Sequence, residues 1–317
     1  MIPIVVAAVA VIALGANPAP AAEVSYFEVP RGARPHDVAP APDGKVWYTA
    51  QGQGALGILD PKTRKVVQVS LGPDAAPHGV IAGPDRAAWI TEGGQNAIAR
   101  VDPATHAVKL FPLPKEFADA NLNTATFDRK GILWFTGQNG VYGRVDPATG
   151  KIDAWKAPKG VGPYGITTTP NGDVWYASLA GDHIAKIDTV SGDALVVQPP
   201  KPGVGPRRIW SDSKGVLWVS FWNTGEVGRY DPNGKTWKVW ALPKSTQGCY
   251  AVFVDDKDKV WLADWSANAI VRFDPVTEKF DSFPSDRRNS SVRQMLGRPG
   301  ELWAAESGTD RLVVIRD

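Results

Sequence analysis

The phrase Asp43-Gly44-Lys45-Val46-Trp47 recurs along the chain. It returns as Pro84-Asp85-Arg86-Ala87-Ala88-Trp89, Lys130-Gly131-Ile132-Leu133-Trp134 and Asn171-Gly172-Asp173-Val174-Trp175. It then continues as Lys214-Gly215-Val216-Leu217-Trp218, Asp258-Lys259-Val260-Trp261 and Pro299-Gly300-Glu301-Leu302-Trp303. The seven tryptophans stand 42, 45, 41, 43, 43 and 42 residues apart, so the chain is a tandem array. Each unit reads as four short strands; in the second unit they are expected at 78–82, 87–92, 97–101 and 107–112, separated by turns rich in Gly, Pro, Asn and Asp. Four strands per unit at a period in the low forties predict an all-β fold, a seven-bladed β-propeller of four-stranded blades. Each repeat tryptophan sits mid-strand, where its ring can fill the wedge between neighbouring sheets.

The termini suggest how the ring closes. Val24-Ser25-Tyr26-Phe27-Glu28-Val29-Pro30 resembles the outer-strand phrases Val108-Lys109-Leu110-Phe111-Pro112 and Lys238-Val239-Trp240-Ala241-Leu242-Pro243, and the last unit stops after its third strand. The N-terminal strand is therefore expected to complete the last blade and remove an open edge. Upstream of it, the apolar run 2–14 is short for a membrane span and is followed by Ala19-Pro20-Ala21-Ala22, a small-residue cleavage pattern. Residues 1–22 are read as a signal peptide and 23–317 as a single-domain propeller, which predicts a periplasmic or secreted monomer with no membrane span after cleavage.

Composition narrows the function. The 317 residues carry 35 Lys+Arg against 33 Asp+Glu, a net charge of +2, and no basic block, so there is no electrostatic footprint for nucleic acid. A single cysteine, Cys249, excludes an internal disulfide and a zinc site built on paired cysteines. It is read as a small buried filler. No P-loop, dinucleotide-binding fingerprint, HExxH or nucleophile elbow is present.

In a propeller the first strand of each blade lines the central channel, and ligands gather at its mouth. The residue eleven before each repeat tryptophan (ten in the last, shorter unit) opens that strand. These residues are His36, His78, Asn123, Tyr164, Arg207, Tyr250 and Arg293. One structural position filled by seven polar, mostly different residues suits a binding mouth that faces an asymmetric small-molecule or peptide-like ligand. A second ring lies three residues after each tryptophan and includes Glu92, Asp264 and Glu306. Hairpin arithmetic sets His78 opposite Glu92, about 5 Å apart at Cβ. An imidazole beside a carboxylate can be an oriented general base or half of a metal site, and His36 lies at the equivalent position one blade earlier. Asp264 and Glu306 are expected to balance Arg207 and Arg293. His106 and His183 are read as surface residues near turns.

The unit Pro77-His78-Gly79-Val80 … Trp89-Ile90-Thr91-Glu92 … Asn96-Ala97-Ile98-Ala99-Arg100 is similar to the repeat of the virginiamycin B lyase (streptogramin lyase) family, as are Pro35-His36-Asp37-Val38, Pro163-Tyr164-Gly165-Ile166 and Asn268-Ala269-Ile270-Val271-Arg272. The resemblance runs through all seven units. It implies a seven-bladed enzyme that linearises cyclic depsipeptide antibiotics, opening an ester by elimination with Mg²⁺ as cofactor. Carried over, His78 would match the general base, Glu92 a metal-associated carboxylate and His36 a substrate-contacting histidine. The family's second metal-binding glutamate falls on Ala76 here, and Asp74 lies four residues before His78. The expectation is thus a metal-assisted carbon–oxygen lyase. The alternatives are a non-catalytic ligand- or peptide-binding propeller and a lactone hydrolase of the gluconolactonase type.

Overall fold

The structure, a computed structural model, describes residues 22–316. The signal-peptide reading of 1–22 falls almost wholly outside the described residues. Among these, 28 strands form seven four-stranded antiparallel sheets, with two single-turn 3₁₀ segments and no longer helix. The second sheet contains Pro77–Ala82, Ala88–Glu92, Ala97–Val101 and Val108–Pro112, within a residue of the expected bounds. The first strands of successive blades pack side by side in a closed cycle, with Pro35–Pro40 of the first blade against both Pro77–Ala82 and Val292–Arg298. Closure comes from the N-terminus: Glu23–Glu28 pairs antiparallel with Arg311–Arg316, from Glu23 opposite Arg316 to Glu28 opposite Arg311.

The repeated phrase earns its place twice. Its tryptophans are buried between blades. Trp134 packs with Ile166 and Tyr176 of the following blade, and Trp218 with Val252 and Leu262 of the following blade. Its turn carries a hydrogen-bonding hub in four blades: Asp85, Asp128, Asp212 and Asp255 accept backbone N–H from their own turn and the indole N–H of Trp89, Trp134, Trp218 and Trp261. A turn-forming carboxylate thus fixes the hairpin and the rotamer of the ring behind it. Of the six remaining tryptophans, Trp155 stacks on Trp134, Trp240 on Trp218, Trp237 packs with Tyr230 and Trp210 with Phe253. Trp222 and Trp265 go elsewhere.

In every blade the first hairpin carries a one-residue register shift. In the second blade Pro77 stands opposite Glu92 and Val80 opposite Ile90, so His78 and Gly79 bulge against Thr91. The same shift separates Pro35 from Val38 and Cys249 from Val252. A bulge re-aims the side chains around it, and here it points the channel residues inward together.

Candidate functional site

The bulges are held by a repeated device. Two residues after the repeat tryptophan, a hydroxyl accepts the bulge N–H of its own blade and donates to a channel-residue carbonyl of the next. Thr91 Oγ1 accepts from Gly79 N (2.7 Å) and donates to Asn123 O (2.6 Å). Thr49 links Asp37 N (2.9 Å) to His78 O (2.8 Å), and Ser220 links Arg208 N (3.0 Å) to Tyr250 O (2.8 Å). Thr136 joins Thr124 N to Tyr164 O in the same way. The other three blades carry Ala177, Ala263 and Ala305 at this position. Four of the seven channel residues are thereby pinned at the backbone by the preceding blade.

On this frame the channel side chains converge. The rings of His36 and His78 lie 3.8 Å apart between centroids. His36 Nδ1 is 2.8 Å from Asp37 Oδ1, which also receives Arg208 Nη2 at 3.1 Å. With Asp37 ionised against Arg208, the His36 proton resides on Nδ1, and Nε2 is left as an acceptor 3.4 Å from the Tyr250 hydroxyl. Tyr250 and Tyr164 share a 2.7 Å hydroxyl contact, and Arg207 Nη2 donates to Tyr164 at 2.8 Å. On the other side Arg208 Nη1 donates to Thr124 Oγ1 (2.5 Å), and Thr124 donates to Asn123 Oδ1 (2.7 Å). That orients the Asn123 amide so that Nδ2 donates to His78 Nε2 at 3.2 Å. A neutral His78 then carries its proton on Nδ1, a buried nitrogen with no protein partner.

The electrostatics follow from burial among guanidinium groups. Burial, then Arg208, Arg293 and Arg207, hold His36 well below the ordinary imidazole value. Burial and the neighbouring His36 do the same to His78. Both rings are neutral at pH 7. For Tyr250, burial pushes upward but Arg207, Arg208 and Arg293 together outweigh it and bring the phenol down to about 8. Tyr164, raised by burial and by Tyr250, stands at about 12. Asp37 is raised by burial, an effect that Arg208 opposes.

Three expectations need correction. The bulge moves Glu92 opposite Pro77, so the His78–Glu92 pair does not form. Glu92 Oε1 accepts the backbone N–H groups of Ala76 (2.5 Å) and Gly94 (3.0 Å) and ties down the loop between blades; Oε2 is buried without a protein partner. Asp264 and Glu306 do not balance the arginines. Asp264 accepts Ala267 N–H at 3.0 Å, and Glu306 pairs with Arg311 at 2.7 Å. Among the described residues Arg207 and Arg293 have no carboxylate within 4.0 Å. His183 is buried, not a surface residue: it opens His183–Ile187, its ring lies edge-on to Tyr176, and Nδ1 donates to Gly181 O at 2.9 Å. Cys249 is buried as expected, with its thiol pushed up by burial.

His36, His78, Asn123, Tyr164, Arg207, Tyr250 and Arg293 are linked through hydrogen bonds and ring contacts around one mouth. Sequence reading missed Asp37 and Arg208, one residue beyond that ring, and Trp222 and Trp265, four residues after their repeat tryptophans. Trp222 lies edge-on to Tyr250, and Trp265 stacks on it. Extending the comparison of repeats by one residue on each strand exposes both pairs.

His36, Asp37 and His78 offer donor atoms all within 4.8 Å of one another, a spacing that a metal ion could bridge. They do not fit Mg²⁺. That ion wants oxygen ligands and one or two carboxylates, whereas this set is two imidazoles and a carboxylate already bonded to Arg208, beside two further guanidinium groups. Glu92 has one oxygen free, and the second acid is replaced by Ala76.

Fold and site together define a seven-bladed propeller with a buried histidine–tyrosine–arginine constellation at its channel mouth. The chain belongs to the virginiamycin B lyase family, whose profile matches residues 64–317. Virginiamycin B lyase from Staphylococcus aureus superposes with a TM-score of 0.86 at 22% identity, covering 93% of this chain and 99% of that one. A streptogramin B lyase structure gives 0.85 at 22% identity, covering 93% and 97%. A catalytically inactive variant of the S. aureus enzyme with quinupristin gives 0.86 at 21%, covering 93% and 99%. None of the curated protein sequences matches this chain. At these identities the superpositions speak for the fold.

Proposed function

We propose that this chain is an exported, monomeric lyase that opens a cyclic depsipeptide or related ester by β-elimination, with its two channel histidines dividing the proton work. The observation that carries this is the pair of neutral rings 3.8 Å apart, both protonated on Nδ1 but engaged by their neighbours at opposite nitrogens, His36 at Nδ1 by Asp37 and His78 at Nε2 by Asn123. His36, oriented by Asp37, presents the Nε2 lone pair and is the base. His78, held by Asn123, presents Nδ1–H and is the donor. The roles are the reverse of those implied by the resemblance: Asn123 holds the His78 nitrogen that would have to accept at 3.2 Å, whereas the Tyr250 hydroxyl reaches the accepting nitrogen of His36 at 3.4 Å and is the looser contact to displace. In the reaction a C–H bond β to the ester oxygen breaks and its proton moves to His36 Nε2. The electron pair forms C=C, the C–O bond breaks, and the departing carboxylate takes the bonding pair. His78 Nδ1–H stabilises negative charge developing on oxygen, as fixed donors do in acyl chemistry. Glu92 serves here as a loop anchor.

The test is incubation with a streptogramin B depsipeptide in H₂¹⁸O. A linear product with a new C=C bond and no ¹⁸O supports elimination, and ¹⁸O incorporation supports a hydrolase instead. His36→Gln should lose about 10²–10⁴-fold in rate, the usual contribution of a general base. His78→Gln, which retains an N–H donor, should lose less. The reverse order would overturn the division of roles. A binding propeller is favoured by a different observation, the extent to which channel groups satisfy one another from Arg207 through Tyr164, Tyr250 and His36 to Asp37. Tight binding with unchanged substrate would support it.

A further inference from the structure

We propose that Arg207 and Arg293 form a carboxylate-binding subsite at the channel mouth, with Trp222 and Trp265 packing the body of an organic acid. Both guanidinium carbons lie over the Tyr250 ring, at 3.8 and 5.5 Å from its centre. Arg207 is also 4.3 Å from the Trp222 ring centre, and Arg293 is 4.8 Å from that of Trp265. Stacking holds the flat faces of the two guanidinium groups and leaves their edges, where the N–H donors point, for a planar anion. Arg207 gives one N–H to Tyr164, and Arg293 gives Nε–H to Ser307 at 3.0 Å; Arg207 Nε is buried and unpartnered.

Charge makes the argument. Three guanidinium groups share this mouth, and the buried Asp37 carboxylate belongs to Arg208. The acids that could have answered the other two, Asp264 and Glu306, face a backbone amide and Arg311. Two like charges beside one ring, partly out of water, repel each other and raise the energy of the empty site. A bound anion relieves that repulsion, and a carboxylate matches the fork bidentately. The tryptophans form two walls set edge to face, 5.3 Å between centroids, suited to a ring or an apolar flank. The required ligand is therefore an acid with an organic body. The subsite does not depend on the elimination reading, because occupancy is read without turnover.

Calorimetric titration of the full chain with benzoate and glucuronate tests the subsite, against benzamide and glucose as uncharged counterparts and inorganic sulfate as a bodiless anion. At least one of the two acids should bind while its neutral counterpart does not. Arg293→Gln and the double variant Arg207→Gln/Arg293→Gln should weaken it by about 10–100-fold, the worth of losing a charge-assisted hydrogen bond. The wild-type comparison of acid with amide stands even if the double variant fails to fold. Absence of binding by both acids, or equal binding of benzamide and benzoate, would overturn the subsite. Sulfate binding as tightly as the acids would overturn the role given to Trp222 and Trp265.

Discussion

His36 and His78 are held neutral by burial and by guanidinium groups, and their proton equilibria must register in stability. Unfolded, each imidazole takes up a proton near pH 6.5; folded, both refuse it until well below. His183, lowered by burial, behaves likewise. Below pH 6.5 the unfolded chain binds more protons, so stability present above that value is lost as pH falls. The slope approaches about 1.4 kcal/mol per pH unit for each histidine. Denaturant melts at pH 7, 6 and 5 should show a falling midpoint, and His36→Gln/His78→Gln should flatten the fall. A wild-type midpoint independent of pH across this window would contradict the burial of the pair. At this scale the channel ring was legible in the sequence because a structural position repeated seven times makes its chemically divergent occupants conspicuous. Asp37 and Arg208 were not, since their partnership spans blades one and five and depends on where a bulge turns each side chain.

The element that organises the site is the bulged first hairpin with its hydroxyl stitch. Thr91 is buried, and Thr91→Val keeps its shape while removing the acceptor for Gly79 N–H and the donor for Asn123 C=O. Two buried backbone groups lose a partner, which costs about 1–3 kcal/mol for each group left unsatisfied. Chemical denaturation should show a loss in that range, with the strands otherwise retained. A change under 0.5 kcal/mol would mean that the stitch is replaceable. The alanines at 177, 263 and 305 precede Arg207, Arg293 and His36, so those three side chains stand on strands without this tie. Strand bounds were readable from Gly, Pro and Trp punctuation, whereas the bulge was not. One extra residue leaves the alternation of apolar and polar positions nearly intact and yet moves every opposing partner by one. That single shift is why Glu92 meets backbone amides and not His78.

For the whole molecule, the decisive contact joins the two ends of the chain. Glu23–Glu28 covers the edge that Arg311–Arg316 would otherwise expose, and Phe27 inserts its ring 5.3 Å from Trp303, with the Arg64 guanidinium also over that ring at 4.6 Å. Asp310 then accepts the backbone N–H groups of Gly32 and Arg34, both at 2.7 Å, and fixes the passage from the closing strand into the first blade. Because each blade leans on its neighbours through a tryptophan, an open seventh blade frees surfaces on both sides of the gap, and the loss should spread around the ring. Phe27→Ala is expected to cost about 3–5 kcal/mol, the usual range for a buried aromatic side chain, while keeping the strand pairing. Removing 23–28 entirely should do more: it bares a strand edge of Leu312, Val313 and Val314, which invites pairing between chains. Thermal melting with light scattering distinguishes the two cases. Phe27→Ala should melt earlier as a single cooperative transition, and the deletion should aggregate before it melts. If the deletion melts cooperatively and without aggregation at the wild-type temperature, the ring is closed by the innermost strands alone and the terminal pairing is an accessory.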